Sequence, residues 1–207
     1  MESETLKIFD RHHKHIGETS REDVHTSGHW HETFHCWFVS QEDDTDYIYL
    51  QIRSDMKKDY PNMLDTTVAG HLLAHEALSD GTREIREELG LHVPFTDLIS
   101  LGIIEDRIIH EDFIDYEFVN VFLYRKSYPL LEAPKLQKEE VSGIVKTPFS
   151  HFYDLWLGRT DEIKVEGFTM DASNKKQFIN QSVNKASFVP HERSYYETSV
   201  SRIKAHI

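Results

Sequence analysis

The chain has 207 residues, 39% of them hydrophobic and 12% aromatic, which suits one globular unit with a sizeable core and excludes a disordered chain. Its formal net charge of −13 at pH 7 argues against a nucleic-acid surface, since phosphates would be repelled, yet it allows a small phosphorylated ligand that carries a divalent cation. No run reaches the roughly 18–20 apolar residues of a membrane span, MESETLKIFDRHHK has no apolar signal core, and the single Cys36 leaves no internal disulfide, so the expectation is a cytoplasmic protein without a membrane partner.

LKIFD has strand character, and residues 11–33, polar and rich in histidine, read as a loop or hairpin region. FHCWFVS and YIYLQIRS are β-branched and aromatic runs around the acidic turn 41–46, a hairpin signal, with Cys36 a buried strand thiol. Pro61 and Asn62 mark a turn, followed by a short strand that ends at Gly70. A helix begins at Ser79 or Asp80 and runs to Leu89, with Gly90 as its stop and Ile85 and Leu89 on its buried side. LISLGIIEDRII and IDYEFVNVFLYR are strands joined by HEDF; alternation in the second puts Ile114, Tyr116 and Phe118 on one face and Asp115, Glu117 and Val119 on the other. TPFSHFYDLWLGR reads as a helix stopped by Gly158, and the tail holds two helix-compatible stretches, 173–184 and 190–206. The expectation is a mixed α/β domain over residues 1–160, with 161–207 a helical extension packed on it that caps the site, joins two copies in a homodimer, or finishes the core.

Within the predicted helix, Glu84, Glu87 and Glu88 stand at i, i+3 and i+4, so they share a face and repel by roughly 0.2–0.5 kcal/mol per neighbouring pair. Such a face is either merely solvated or holds a cation. Gly70, five residues, Glu76, then Arg83-Glu84-Ile85-x-Glu87-Glu88-x-Gly90-Leu91 resembles the Nudix box, with six residues (77–82) between Glu76 and Arg83 where the pattern has seven. The resemblance implies a Nudix-type α/β/α sandwich with a mixed central sheet and metal-dependent hydrolysis of a diphosphate (pyrophosphate) linkage. It implies Mg²⁺, with Mn²⁺ the alternative, held by Glu84, Glu87, Glu88 and the main-chain carbonyl of Ala69, with Gly70, Glu76 and Arg83 in support. Oxygen ligands suit such hard cations, which neutralise phosphate charge and acidify bound water. The proton acceptor stays open between Glu117, an acid in an otherwise apolar strand that would be costly to bury unpaired, Glu139 or Glu140 of QKEEVSG, and Glu84 itself. Arg53 and Lys57, beside Lys58 and close to the box, are candidate phosphate contacts, as is His71.

VHTSGHWHETFHCWFV, DTTVAGH and DYEFVNVF resemble the framework of type I isopentenyl-diphosphate isomerase over roughly residues 5–157. That resemblance implies a second metal set at His25, His31, His71, Asp115 and Glu117; the residues alone favour histidines that hydrogen-bond loop backbone or contact substrate phosphate. The isomerase needs the cysteine of a Cys-Gly-His triplet to move a proton, and this chain has Ala69-Gly70-His71. Alanine carries no proton, and the Nudix box is complete here where the isomerase's is degraded. The expectation is therefore a hydrolase of the isomerase-like branch acting on a small nucleoside or isoprenyl diphosphate, ahead of an isomerase or a diphosphate sensor without activity.

Overall fold

The computed structural model describes residues 4–110, 113–126, 130–132, 135–171, 173 and 175–207. β1 (Thr5–Phe9) and β2 (His15–Ser20) form a hairpin, and α1 (Arg21–Ser27) follows, capped by the Ser20 hydroxyl, which accepts the Asp23 N–H. Only the hairpin half of the expected 11–33 region is a hairpin. The remainder is the helix α1, marked by Ser20 ahead of it and by Gly28, at φ 68°, behind it, and then the start of a strand at Trp30.

The long β3 (Trp30–Glu42) and β4 (Thr45–Arg53) are joined through Asp43 and Asp44, both at positive φ as a two-residue hairpin turn of matching twist requires. β5 (Leu64–Asp65) and β6 (Val68–His71) lead to a 3₁₀ turn at Leu78–Gly81 and then α2 (Thr82–Leu89), which stops at Gly90 in the left-handed region. β7 (Ile99–His110) and β8 (Phe113–Lys126) are antiparallel, and the expected HEDF turn lies partly outside the described residues. β9 (Val141–Pro148), α3 (Phe149–Trp156), β10 (Ile163–Met170), β11 (Lys176–Val183) and α4 (Arg193–Lys204) complete the chain.

The expected helix over 173–184 is corrected: Lys176–Val183 is a strand paired along its whole length with β10. It is an edge strand with nearly every side chain in solvent, so no buried stripe of either period was there to read. β10 and β11 thus extend the sheet, and among the described residues the helical part of the tail is α4 with a 3₁₀ turn at Lys185–Ser187.

The sheet is mixed. β3 runs parallel to β8 and antiparallel to β1, β6 and β4 in turn. One face buries Phe34, Phe38 and Tyr49 against Ile85 and Leu89 of α2. The other buries Trp37, Val39 and Leu50 against Phe152 and Trp156 of α3 and Tyr195, Tyr196 and Ile203 of α4. Trp156 and Tyr196 stack at 3.6 Å, locking α3 to α4. The architecture is an α/β/α sandwich. Among the described residues no helix is long and apolar enough to cross a membrane.

Candidate active site

Alternation along β3 sends His31, Thr33 and His35 to the face opposite Phe34 and Cys36. Parallel register sets Glu117 of β8 across from His31, antiparallel register sets Asp106 of β7 across from Glu117, and His71 of β6 lies across from Thr33. Of these, Thr33, His35, His71 and Glu117 line one cavity of about 230 Å³ together with the acids of α2.

On the α2 side Arg83 is the hub. Its Nε donates to Glu76 Oε1 at 2.7 Å and its Nη2 to Glu76 Oε2 at 3.2 Å, a forked contact that ties the loop to the helix. The same guanidinium donates to Glu87 Oε2 at 2.7 Å and to the His71 carbonyl at 3.3 Å, and lies 2.9 Å from Glu84 Oε1. Glu76 also accepts the Leu73 N–H at 2.9 Å. Burial would raise the Glu76 carboxyl, but the Arg83 hydrogen bonds hold it below its usual range.

The other acids behave differently. Burial pushes the Glu84 carboxyl up to about 7, only partly offset by Arg83. Burial, then the charge of Glu84, pushes Glu88 well above the usual carboxylate range, although its Oε2 accepts the Ala69 N–H at 3.4 Å. Glu87 is the exposed member of the three. Gly70 makes the arrangement possible: a β-carbon there would lie 2.2 Å from Glu84 Cδ and 2.3 Å from its Oε1.

Across the cavity stands a second set. The donor atoms of His25, His31 and His71 lie within 4.8 Å of one another, as do those of His31, Asp115 and Glu117. His71 Nε2 faces His25 Nε2 at 3.4 Å, and Asp115 Oδ1 is 3.5 Å from His25 Nε2 and 3.4 Å from His31 Nε2. His31 Nε2 and Asp115 Oδ1 are buried without a hydrogen-bond partner among the described residues. Burial lowers both the His31 and the His71 imidazoles, which keeps them neutral. Neutral imidazoles and ionised carboxylates are what a divalent cation takes as ligands.

Glu117 Oε1 faces His31 Nε2 at 3.9 Å, and its Oε2 faces His35 Nε2 at 3.8 Å. Burial and then the charge of Asp115 push its carboxyl well above the usual range. Of the other proton acceptors considered, Glu140 lines the cavity with its Oε2 bound by Lys57 Nζ, whereas Glu139 is not among the lining residues. Lys57 lines it too; Lys58 does not. Arg53 reaches the cavity wall but is committed elsewhere: Nη1 donates to Asp65 Oδ2 at 3.0 Å, and Nη2 and Nε donate to the Asp59 carbonyl at 2.9 and 3.3 Å.

Sequence reasoning gave no role to Asp65, Asp106, His191 or Tyr195. Asp65 and His191 line the cavity; Asp106 and Tyr195 bind residues that do. His191 comes from the tail just ahead of α4, with Nδ1 2.6 Å from Asp106 Oδ2 and Nε2 3.2 Å from Asp65 Oδ1. Burial alone would lower its imidazole, but Asp106 and Asp65 raise it well above the usual value, so it is a cation.

No family model matches the chain. It is 36% identical over 197 residues, 95% of each chain, to an uncharacterized Nudix hydrolase of Clostridium acetobutylicum. The chain belongs to the Nudix hydrolase family. Membership makes it an enzyme. This Nudix hydrolase is also 28% identical to isopentenyl-diphosphate Delta-isomerase 2 of Photorhabdus laumondii, over 67% of this chain and 74% of that one, as the isomerase-like branch requires. Its fold is similar to that of DR0079 from Deinococcus radiodurans, with a TM-score of 0.54 at 19% identity, covering 72% of this chain and 86% of that one.

Proposed function

We propose that this Nudix hydrolase cleaves the diphosphate linkage of a small organic or nucleoside diphosphate with the help of Mg²⁺ or Mn²⁺. Glu84, Glu87 and Glu88, with the Ala69 main chain, would hold the cation. The observation that carries this reading is the cradle at Gly70. The fold forgoes a side chain there and buries Glu84 and Glu88, whose carboxyls burial pushes up, around a cavity. Burying carboxylates with so little counter-charge is unfavourable unless a cation joins them. His25, His31, His71 and Asp115 fit a second cation by the same test, through the orphaned Nε2 of His31 and Oδ1 of Asp115.

Bound cations would offset the charge of the substrate phosphates and lower the pKa of a water molecule. Glu117 accepts the proton of the attacking water; it lines the cavity with Oε1 3.9 Å from His31 Nε2, beside the proposed cation ligands. The water oxygen bonds to phosphorus, the bridging P–O bond breaks, and its electron pair leaves with the departing phosphate group. Arg83 and Glu76 hold the α2 acids in place, while Lys57 contacts substrate phosphate directly and His71 meets it on its own or through the second cation.

Ala69 disfavours the isomerase reading, since no side chain at that position can carry a proton. Phosphate release from a panel of nucleoside, sugar and isoprenyl diphosphates, with Mg²⁺ and with Mn²⁺, tests the proposal. Turnover of at least one class, abolished by a chelator, is the expected result. Tight binding with no turnover makes the protein a sensor, and conversion of isopentenyl to dimethylallyl diphosphate makes it an isomerase.

A further inference from the structure

We infer that the C-terminal segment is a working part of the site, in which Tyr195, through His35, positions Glu117. The inference rests on Glu117 as the proton acceptor proposed above. Tyr195 lies in the first turn of α4, fully buried, with its hydroxyl 2.7 Å from His35 Nδ1 and 3.0 Å from Thr66 Oγ1. The hydroxyl has one proton and two neighbours. Thr66 can donate to the tyrosine oxygen, whereas a neutral imidazole whose Nδ1 accepts must carry its proton on Nε2. His35 Nε2 is the atom that faces Glu117 Oε2 at 3.8 Å. Donation by Tyr195 therefore sets the tautomer that turns an N–H toward the Glu117 carboxylate, an electrostatic contact at 3.8 Å that biases its orientation.

The tail is clamped where this matters. His191 sits between Asp106 and Asp65, and the Glu192 N–H donates to Asp106 Oδ1 at 2.7 Å. Arg53 closes the far end through Asp65 at 3.0 Å. Asp106 lies directly across from Glu117 on the neighbouring strand, where two carboxylates repel. The His191 cation engages Asp106 from the other side, so tail and site are bound by charge and not by apolar packing alone. The neighbouring tyrosine supplies a contrast: the Tyr196 hydroxyl donates to the Val189 carbonyl at 2.9 Å, within the tail itself.

That contrast gives the experiment. Tyr195→Phe and Tyr196→Phe each remove one buried hydroxyl from α4 and should lower Tm alike. Tyr195→Phe should lower kcat about 10- to 100-fold with KM held within about two-fold, whereas Tyr196→Phe leaves kcat unchanged. Glutamine has an amide nitrogen that can stand near the Nε2 position, so His35→Gln should retain more turnover than His35→Ala. In the His35→Gln background, adding Tyr195→Phe should cost no further kcat. Imidazole ¹⁵N shifts in the full-length protein should show His35 protonated on Nε2, and a changed tautomer balance in Tyr195→Phe. Equal kcat in the two tyrosine variants, or His35 protonated on Nδ1 in the unaltered chain, overturns the inference while leaving the hydrolase reading intact. A chain that hydrolyses no diphosphate overturns both.

Discussion

Gly70 and Glu84 occupy one another's space: the carboxylate of Glu84 lies where a side chain at position 70 would begin, 2.2 Å from the ideal β-carbon. Backbone conformation does not demand glycine there, since Gly70 is not among the residues at positive φ. The demand comes from the acid. Gly70→Ala should therefore displace Glu84 instead of straining the strand, destabilising the protein by about 1–3 kcal/mol and lowering turnover about 10- to 100-fold. Chemical denaturation and steady-state kinetics on the one variant check both, and a neutral outcome in both would show that Glu84 is free to move aside.

Glu88 gives the opposite sign for stability. Its carboxyl is buried and pushed up by burial and by Glu84, so the ionised form opposes folding of the metal-free chain. Glu88→Gln should raise Tm in the presence of a chelator, by roughly 2–4 °C for each kcal/mol gained. The same variant should lose the increase in Tm that Mg²⁺ gives the unaltered protein, and a Mg²⁺ response kept in full would remove Glu88 from the cation site.

The pH dependence of the metal-free protein follows from Glu84. Its carboxyl, ordinarily at 4.5, is raised by burial to about 7 in the folded chain. Between these values the folded state holds a proton that the unfolded state has released. Stability therefore falls as pH rises from 4.5 toward 7, and the loss is complete above that. Glu88 and Glu117, also raised, act in the same direction. His31 and His71, lowered by burial, act in the opposite direction, so the Glu84 contribution is read by difference: with a chelator, Tm of the unaltered protein should fall more across about pH 5 to 8, or rise less, than that of Glu84→Gln, and added Mg²⁺ should stabilise it most at the alkaline end. The same pH slope in both proteins, or a Mg²⁺ effect largest at the acidic end, contradicts the assignment.

Arg53 was a candidate phosphate contact, but its guanidinium is already shared between Asp65 and the Asp59 carbonyl. A lysine cannot reproduce that fork. Arg53→Lys should thus lower stability by about 1–3 kcal/mol, read by thermal or urea unfolding. An unchanged Tm combined with a raised KM would return Arg53 to direct phosphate binding.

What the sequence displayed was whatever is local. Glu84, Glu87 and Glu88 declare a shared helix face by spacing alone, and Asp115 and Glu117 a shared strand face. The β3–β4 hairpin was legible because its turn is two acidic residues between strongly patterned runs. β11 was not, because an edge strand exposed on both faces has no buried period to betray it. The His191 clamp was hidden for a different reason: its partners Asp106 and Asp65 are 85 and 126 residues away, and nothing in either neighbourhood records a tertiary contact. The arginine that looked like a ligand contact and the tail histidine that looked like nothing belong to one buried charge chain, visible only once β4, β5, β7 and the tail are brought together.

In the proposed function, cation held by the α2 acids drives diphosphate hydrolysis. The most direct measurement is the initial rate of phosphate release against Mg²⁺ concentration, for the unaltered protein and for Glu87→Gln. The prediction is a saturable rise from near zero in the unaltered protein, and a rate lower by about 100-fold or more at every Mg²⁺ concentration in the variant, whose fold stays intact. Hydrolysis that persists in a chelator, or a Glu87→Gln variant that turns over at the normal rate, would contradict it.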